Sequence, residues 1–376
     1  MIRNLLIFFV VTNAYLYWKL RSGFGNGPWN WVYVPWALTA AVLPFVSRMG
    51  LLGSGRGAEV VFALSFTWVA IVGMACIGFF FMDALSLAAR VVDQFTKLSL
   101  HSRFFAPRKC VPATLLLIVM VVLYSFYEAW AVRRVDLVLE TSKLPEGVER
   151  LRLVHLTDVH IGGVYTLRRL AKVMDIVRSA EPDLLVMTGD LVDGDMSARG
   201  REAELLATHG ARYGAFSIPG NHDFYSGIDQ ALRFMTRANL SVIRDSRVDV
   251  AGISIIGLDD PAKFGRGISL AVERLPAGVA LPDDKFALIL KHRPQVLEGT
   301  EGKFDLQLSG HTHGGQIWPF GYIVKWINKH EQHLSYKGDS AVYVSNGAGF
   351  WGPPLRFLTP PEVTVIDLVR KQERNR

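Results

Sequence analysis

Four apolar runs within the first 130 residues constrain this chain more than anything that follows them. They are residues 4–20 (NLLIFFVVTNAYLYWKL), 29–46 (WNWVYVPWALTAAVLPFV), 58–82 (AEVVFALSFTWVAIVGMACIGFFFM) and 111–130 (VPATLLLIVMVVLYSFYEAW). Each approaches the roughly 20 residues that a helix needs to cross a bilayer, and the last two are the clearest. Composition agrees: half of the residues are hydrophobic and only a fifth are charged, more apolar than an ordinary soluble protein. The first run, with Arg3 ahead of it, could also serve as a secretory signal. The following LRSGFGNG offers no small-x-small cleavage site and further runs come after it, so it reads as an uncleaved span.

Between the third and fourth runs, Leu85, Ala88, Val91, Val92, Phe95 and Leu98 recur at helical spacing, with Arg90, Asp93 and Lys97 opposite them. That spacing predicts an amphipathic helix lying in the membrane interface. The two cysteines, Cys76 and Cys110, leave no disulfide framework and no cysteine-based zinc site. A net charge of +7 suits an anionic membrane surface or a phosphorylated substrate.

The pattern changes near residue 132, which divides a membrane region (1–132, about four spans plus the interfacial helix) from a domain at 133–376. Beyond it charges become frequent, glycine and proline punctuate, and no apolar run is long enough to span. RLRLVHLTDVH reads as a strand, TLRRLAKVMDIVRSA as a helix, PDLLVMTGD and GAFSIPGNHD as strands. VAGISIIGLDD, FALILKHRP, FDLQLSGHTH and AVYVSNGAG are strand-like as well. Alternation of this kind predicts an α/β domain. Ligands of open α/β sheets collect beyond the carboxyl ends of strands, and here those ends carry TDVH, TGDLVD, GNHD, KHR and GHTH.

Asp158 and His160 stand two apart, as do His311 and His313, so each pair can aim both side chains at one ion. An isolated HxH pair is as readily a solvated loop. Its company changes the reading, because His160, His222, His292, His311 and His313 all sit in strand-end motifs. Carboxylate, amide and imidazole donors together suit Mn, Fe or Zn.

In order, HLTDVH, GDLVD, GNHD, KHRP and SGHTHGGQ resemble the motifs of the calcineurin-like metallophosphoesterases, specifically the branch with YkuE-type phosphoesterases and the transmembrane protein with a metallophosphoesterase domain. The likeness covers roughly residues 133–370. It implies a four-layer sandwich of two mixed β-sheets flanked by helices, and two divalent ions of the Mn, Fe or Zn type. It further implies Asp158, His160 and His313 on the first ion, Asn221, His292 and His311 on the second, and Asp190 bridging both. A water activated between paired cations would then attack phosphorus in line.

The resemblance makes His222 a transition-state contact or the acid for the leaving alcohol, with Asp223 orienting it; the plain alternative for Asp223 is a turn residue. Asp193 is either a partner of a ligand imidazole or a loop cap. His155, Asp259 and Asp260 read as structural, and His101, His209, His330 and His333 as surface residues.

The implied function is a membrane-anchored phosphoesterase acting on phosphodiester, phosphomonoester or pyrophosphate bonds. A degenerate fold kept as a binding scaffold would have lost ligands, and none is missing. A transport protein with a regulatory phosphoesterase domain should carry ionisable groups at mid-depth, whereas Glu59 and Glu128 lie near the ends of the runs. Trp318, Phe320, Trp326, Phe350, Trp351 and Phe357 flank the motif segments. They either fill the core or form an apolar lip, with Lys325 and Lys329, for a lipid-linked ester. The expected partners are a phosphate-ester substrate and a membrane, with no nucleic acid and no obligate protein partner. A bacterial inner (cell) membrane is the expected location. Basic residues near the runs divide almost evenly between its two sides, with a slight lean to an extracytoplasmic domain.

Overall fold

The computed structural model describes residues 2–31, 33–35, 37, 56–162, 167–265 and 273–371. The chain forms two compact units, Met1–Phe126 with Gly352–Pro354, and Tyr127–Trp351 with Leu355–Arg376.

The first unit contains α1 (Ile2–Phe24), α2 (Arg56–Phe95), the short α3 (Leu100–Phe104) and most of α4 (Pro107–Trp130). Among the described residues two helices are long and apolar enough to cross a bilayer, Ala63–Phe95 and Pro107–Trp130. The run at 4–20 lies within α1, and the run at 29–46 falls largely outside the described residues. Residues 85–95, which carry the amphipathic spacing, continue α2 without a break. That helix has 40 residues and is about 60 Å long, some twice the bilayer core. Leu16, Val72, Ala75, Phe79, Val111 and Ile118 join α1, α2 and α4 in one apolar cluster. Asp83, inside an apolar helix, accepts from Tyr15 Oη at 2.7 Å and pairs with Lys19 of α1, so this carboxylate of α2 is met by a cation.

The second unit is built on two six-stranded mixed sheets. The first has the order β1 (Arg133–Thr141), β12 (Glu362–Arg370), β2 (Arg150–Leu156), β3 (Leu184–Thr188), β4 (Ala215–Ile218), β5 (Ser241–Val242). The second has the order β10 (His333–Lys337), β11 (Ser340–Val344), β9 (Leu306–Ser309), β8 (Ala287–Leu290), β7 (Ile253–Gly257), β6 (Ser246–Val250). β2, β3 and β4 run parallel, as do β7, β8, β9 and β11. β12 enters antiparallel to β2 and parallel to β1.

Period-two alternation explains the layers. In β2 and β3, Leu151, Leu153, Leu184 and Val186 face the second sheet, where Ile253, Ile255, Leu288, Leu290, Leu306 and Leu308 meet them. Val154, Leu156, Leu185 and Met187 face outward against α5 (Leu167–Ser179), α6 (Gly200–Leu206) and α7 (Asn221–Arg237). The outer residues of the second sheet, Ile256, Ala287, Ile289, Val342 and Val344, are covered by Leu275, Val279, Leu281, Val296 and Leu297. Both faces of these strands are buried, which is why they read as nearly continuous apolar runs. Each inward Leu or Ile stabilises the fold by about 2 kcal/mol relative to exposure. Burial also corrects the reading of two histidines as surface residues. His209 is buried, its Nδ1 accepting from Ala211 N at 3.0 Å, and His330 is buried against Gln332 Oε1 at 3.2 Å.

The β6–β7 hairpin turns on Ala251 (φ 50°) and Gly252 (φ 79°), and a Cβ on Gly252 would lie 1.8 Å from Pro145 Cγ. Gly252→Ala combines that clash with backbone strain. It is expected to destabilise the second unit by about 2 kcal/mol, read as a fall in thermal midpoint, and an unchanged midpoint would contradict the turn geometry.

Candidate metal centre

Five strand ends from both sheets converge. Asp158 and His160 follow β2, Asp190 follows β3, Asn221 and His222 open α7 after β4, His292 follows β8, and His311 and His313 follow β9. Main-chain bonds lock these loops together: Asp158 N donates to Gly189 O and His160 N to Asp190 O, each at 3.0 Å, and Gly310 N donates to His292 O at 2.9 Å. Asp158, His160, Asp190, His311 and His313 all adopt the left-handed backbone region. Glycines permit the close approach: a Cβ on Gly310 would sit 2.0 Å from Asp158 Oδ2, and one on Gly220 2.4 Å from Asp190 Oδ1.

Two groups of donor atoms result. In the first, His313 Nε2 lies 3.1 Å from His160 Nε2 and 3.5 Å from Asp158 Oδ1. In the second, His292 Nε2 lies 3.1 Å from Asn221 Oδ1, 3.2 Å from Asp190 Oδ2 and 3.2 Å from His311 Nδ1. Asp190 Oδ2 stands between them, 3.8 Å from His160 Nε2. The ring of His292 is oriented by Nδ1 donating to Thr188 O at 2.8 Å, which turns the Nε2 lone pair toward three other acceptors. Acceptors gathered this closely need a cation or a proton among them. Donors about 2.1 Å from one ion stand about 3.0–3.4 Å apart at tetrahedral or octahedral angles, so the spacing fits a divalent ion in each group.

The electrostatics point the same way. Burial disfavours a charged His292, but the charge and hydrogen bond of Asp190, with Asp158 behind it, outweigh burial and push its pKa up to about 10. Where carboxylates hold a proton this tightly, a metal ion finds the same attraction. Burial and the positive charge of His292 bring His311 down to about 3, a neutral ring able to donate a lone pair. Burial and Arg356 likewise hold His313 well below the usual histidine range.

The structure separates the two aspartates near His222. Asp193 Oδ1 meets His222 Nδ1 at 3.2 Å, while Asp193 Oδ2 stands 3.6 Å from His160 Nδ1. The carboxylate of Asp223 accepts from Gly220 N at 2.7 Å and Val192 N at 3.0 Å, closing the first turn of α7 as a capping residue, so the hydrogen bond to the His222 ring comes from Asp193 instead. Burial lowers the His222 pKa, but Asp190 and Asp193 together more than offset it and raise it to about 9.

His155, Asp259 and Asp260 have structural partners. His155 Nε2 meets Thr188 Oγ1 at 2.7 Å, Asp259 takes a two-pronged contact from Arg244, and Asp260 caps the turn at Pro261–Phe264 and pairs with Arg293. Phe350 is buried under the Arg169 guanidinium and so leaves the candidate lip. Sequence reasoning missed Arg356. Its fully buried guanidinium bonds Gly349 O at 2.7 Å, Asn346 O at 2.8 Å, Thr359 O at 3.1 Å and His313 O at 3.2 Å, and comes within 3.0 Å of His313 Nδ1. One charged residue inside the otherwise apolar PPLRFL was its only signal.

A two-sheet sandwich with histidine and carboxylate donors at these strand ends is the arrangement of a calcineurin-like metallophosphoesterase. Residues 151–315 match the calcineurin-like phosphoesterase family model. An uncharacterized metallophosphoesterase of Aquifex aeolicus is 33% identical over 251 residues, 66% of this chain and 96% of that protein. YkuE of Bacillus subtilis, an uncharacterized metallophosphoesterase, is 32% identical over 257 residues, 65% of this chain and 87% of that one. The zebrafish (Danio rerio) transmembrane protein with metallophosphoesterase domain is 30% identical over 250 residues, 62% of this chain and 56% of that protein. The chain belongs to the calcineurin-like metallophosphoesterase family.

Gly310→Ala drives a methyl into Asp158 Oδ2 and Thr157 Oγ1, 2.0 and 2.2 Å from the new carbon. The variant is expected to fold with a sharply reduced divalent metal content after dialysis, measured by elemental analysis. Full metal loading would count against Asp158 as a donor.

Proposed function

We propose that the second unit is a binuclear metal-dependent hydrolase of phosphate esters, held at a membrane by α2 and α4. The observation that carries this is the pair of donor groups sharing Asp190 Oδ2. Asp158, His160 and His313 would hold one divalent ion, Asn221, His292 and His311 the other, with Asp190 common to both. When bound, two such cations neutralise phosphoryl oxygens and lower the pKa of water enough to supply a nucleophile near neutral pH.

The chain's own groups do the rest. Asp193 fixes His222 through Nδ1, so Nε2 is the nitrogen left to give a proton to the leaving oxygen. The negative charges of Asp193, at Nδ1, and of Asp190 favour the protonated ring, the state an acid requires. The backbone N of His222 donates to Asp190 Oδ1 at 2.7 Å, coupling the acid's position to the shared carboxylate. A bacterial cell membrane is the proposed setting, in keeping with the bacterial relatives.

A second reading narrows the substrate to lipid-linked phosphate esters. It is favoured by Trp351, an exposed aromatic whose ring centre is 6.0 Å from that of His222 and whose main chain is held by Gln316 through two bonds of 2.9 Å. An indole there offers an apolar wall beside the leaving group. On this reading kcat/KM rises with the acyl length of diester substrates, and Trp351→Ala abolishes the rise. Indifference to chain length leaves the phosphoesterase reading standing without the lipid.

Asp190→Ala is expected to remove bound metal together with activity, because both ions lose a donor. Two metals per chain with near-normal turnover would overturn the assignment. His222→Asn should keep its metal and lose about 10²–10⁴-fold in rate on alkyl esters, with far less loss on nitrophenyl esters, whose leaving groups need no proton. Equal losses on both would reduce His222 to charge stabilisation.

A further inference from the structure

Helix α8 (Phe320–Asn328) begins seven residues after His313 and buries none of its own residues. Tyr322, Ile323, Trp326 and Ile327 fall on a single helical stripe and are 69, 52, 81 and 63% exposed, and Trp318 and Phe320 extend the apolar surface toward the ligand turn. A contiguous aromatic and aliphatic face of this kind marks a surface with a partner.

We propose that α8 is a monotopic membrane-docking helix whose apolar stripe lies in the headgroup region of the bilayer. The proposal rests on the membrane tether in the reading above and not on its chemistry. Three observations favour lipid as the occupant. Tryptophan and tyrosine with aliphatic neighbours form the residue set of membrane interfaces, where one end of the ring is apolar and the other wet. Lys329 stands on the flank, with a stem long enough to lie along the apolar face while its ammonium group meets anionic headgroups, and Lys325, one turn earlier, is paired with Glu331. At nine residues α8 is about 13 Å long, far too short to span and suited to lie flat. A weak patch is sufficient because a tether turns docking into an intramolecular event at high effective concentration.

Docking would also fix the site, because the start of α8 and the segment that follows the helix both touch the ligand turn. A Cβ on Gly315 would lie 2.3 Å from Gly321 N, so the helix start and the GHTHGG turn touch main chain to main chain. Beyond the other end, Gln332 Oε1 accepts from Thr312 Oγ1 at 3.2 Å, between the two histidines of the turn. An α8 seated in the headgroups therefore holds His311 and His313 at the level of the membrane surface.

The test uses the full chain in nanodiscs of phosphatidylcholine and phosphatidylglycerol. Cys76 and Cys110 are replaced by alanine, and an environment-sensitive NBD label is placed through Trp326→Cys or, if that variant misfolds, Tyr322→Cys. Val248→Cys, on an exposed strand of the same unit, is the control. The label at 326 is expected to emit to the blue of the label at 248 and to be quenched several-fold more strongly by lipids carrying a nitroxide near the headgroup. A water-like, unquenched label at 326 overturns the proposal. Blue emission without nitroxide quenching also overturns it, by assigning the face to a second copy of the chain. Because the readout is fluorescence, failure of the phosphoesterase reading leaves the result intact.

Discussion

The second unit depends on holding acceptor atoms from separate strands closer together than they would choose to be. Asp158, His160, Asp190, His311 and His313 sit at φ between 50 and 69°, a region that costs a residue with a Cβ about 1 kcal/mol or more. Such strain persists only where the surroundings over-determine it. Here the loops after β2, β3, β8 and β9 are tied to one another by main-chain hydrogen bonds, and the sheets that carry them are fixed by a core of interleaved Leu, Ile and Val. The left-handed residues turn the chain sharply just past the strand ends, so that donors from neighbouring loops are brought together there. Backbone strain and the clustering of carboxylate and imidazole lone pairs are thus two sides of one arrangement.

Much of this was legible in the sequence because it is local. D-x-H, GNHD and GHTH each follow an apolar run short enough to be a strand, and polar residues at strand ends are where α/β folds gather their chemistry. All seven residues named as donors from the sequence meet in space. What failed depended on partners distant in sequence. Asp223 and Asp193 both lie close to His222 along the chain or across a loop, and only the capping of α7 decides which one is free to touch its ring. His209 and His330 looked like isolated surface residues because nothing in their neighbourhoods indicates the elements that cover them. The strands β1, β5, β6, β10 and β12 were not singled out either. Several of these are half-exposed or edge strands, so their apolar signal is diluted.

Two buried arginines show how the segment after β11 is held. Arg356 is surrounded by carbonyl oxygens of Gly349, Asn346, Thr359 and His313, and Arg169 of α5 reaches Ala348 O at 2.9 Å and Ala129 O at the end of α4 while lying over the Phe350 ring. A guanidinium has five fixed donors, which is what a loop rich in unpaired carbonyls requires. The same need explains why charge appears in so apolar a stretch of sequence. Burial and the neighbouring Arg169 lower the pKa of Arg356 to about 9, so it is held by hydrogen bonds against an unfavourable field.

The place of β12 has a consequence for how the chain is made. The last strand lies between β1 and β2, the first two strands of the domain, and its register runs from Arg133↔Glu362 to Thr141↔Arg370. While the polypeptide is being synthesised, β1 and β2 therefore lack their common neighbour until more than 200 further residues have left the ribosome. Contacts of such long range form late and expose open strand edges in the meantime. The sheet is thus closed by a strand made after every candidate donor, and a chain cut before Glu362 carries all seven donors on a sheet that remains open between β1 and β2.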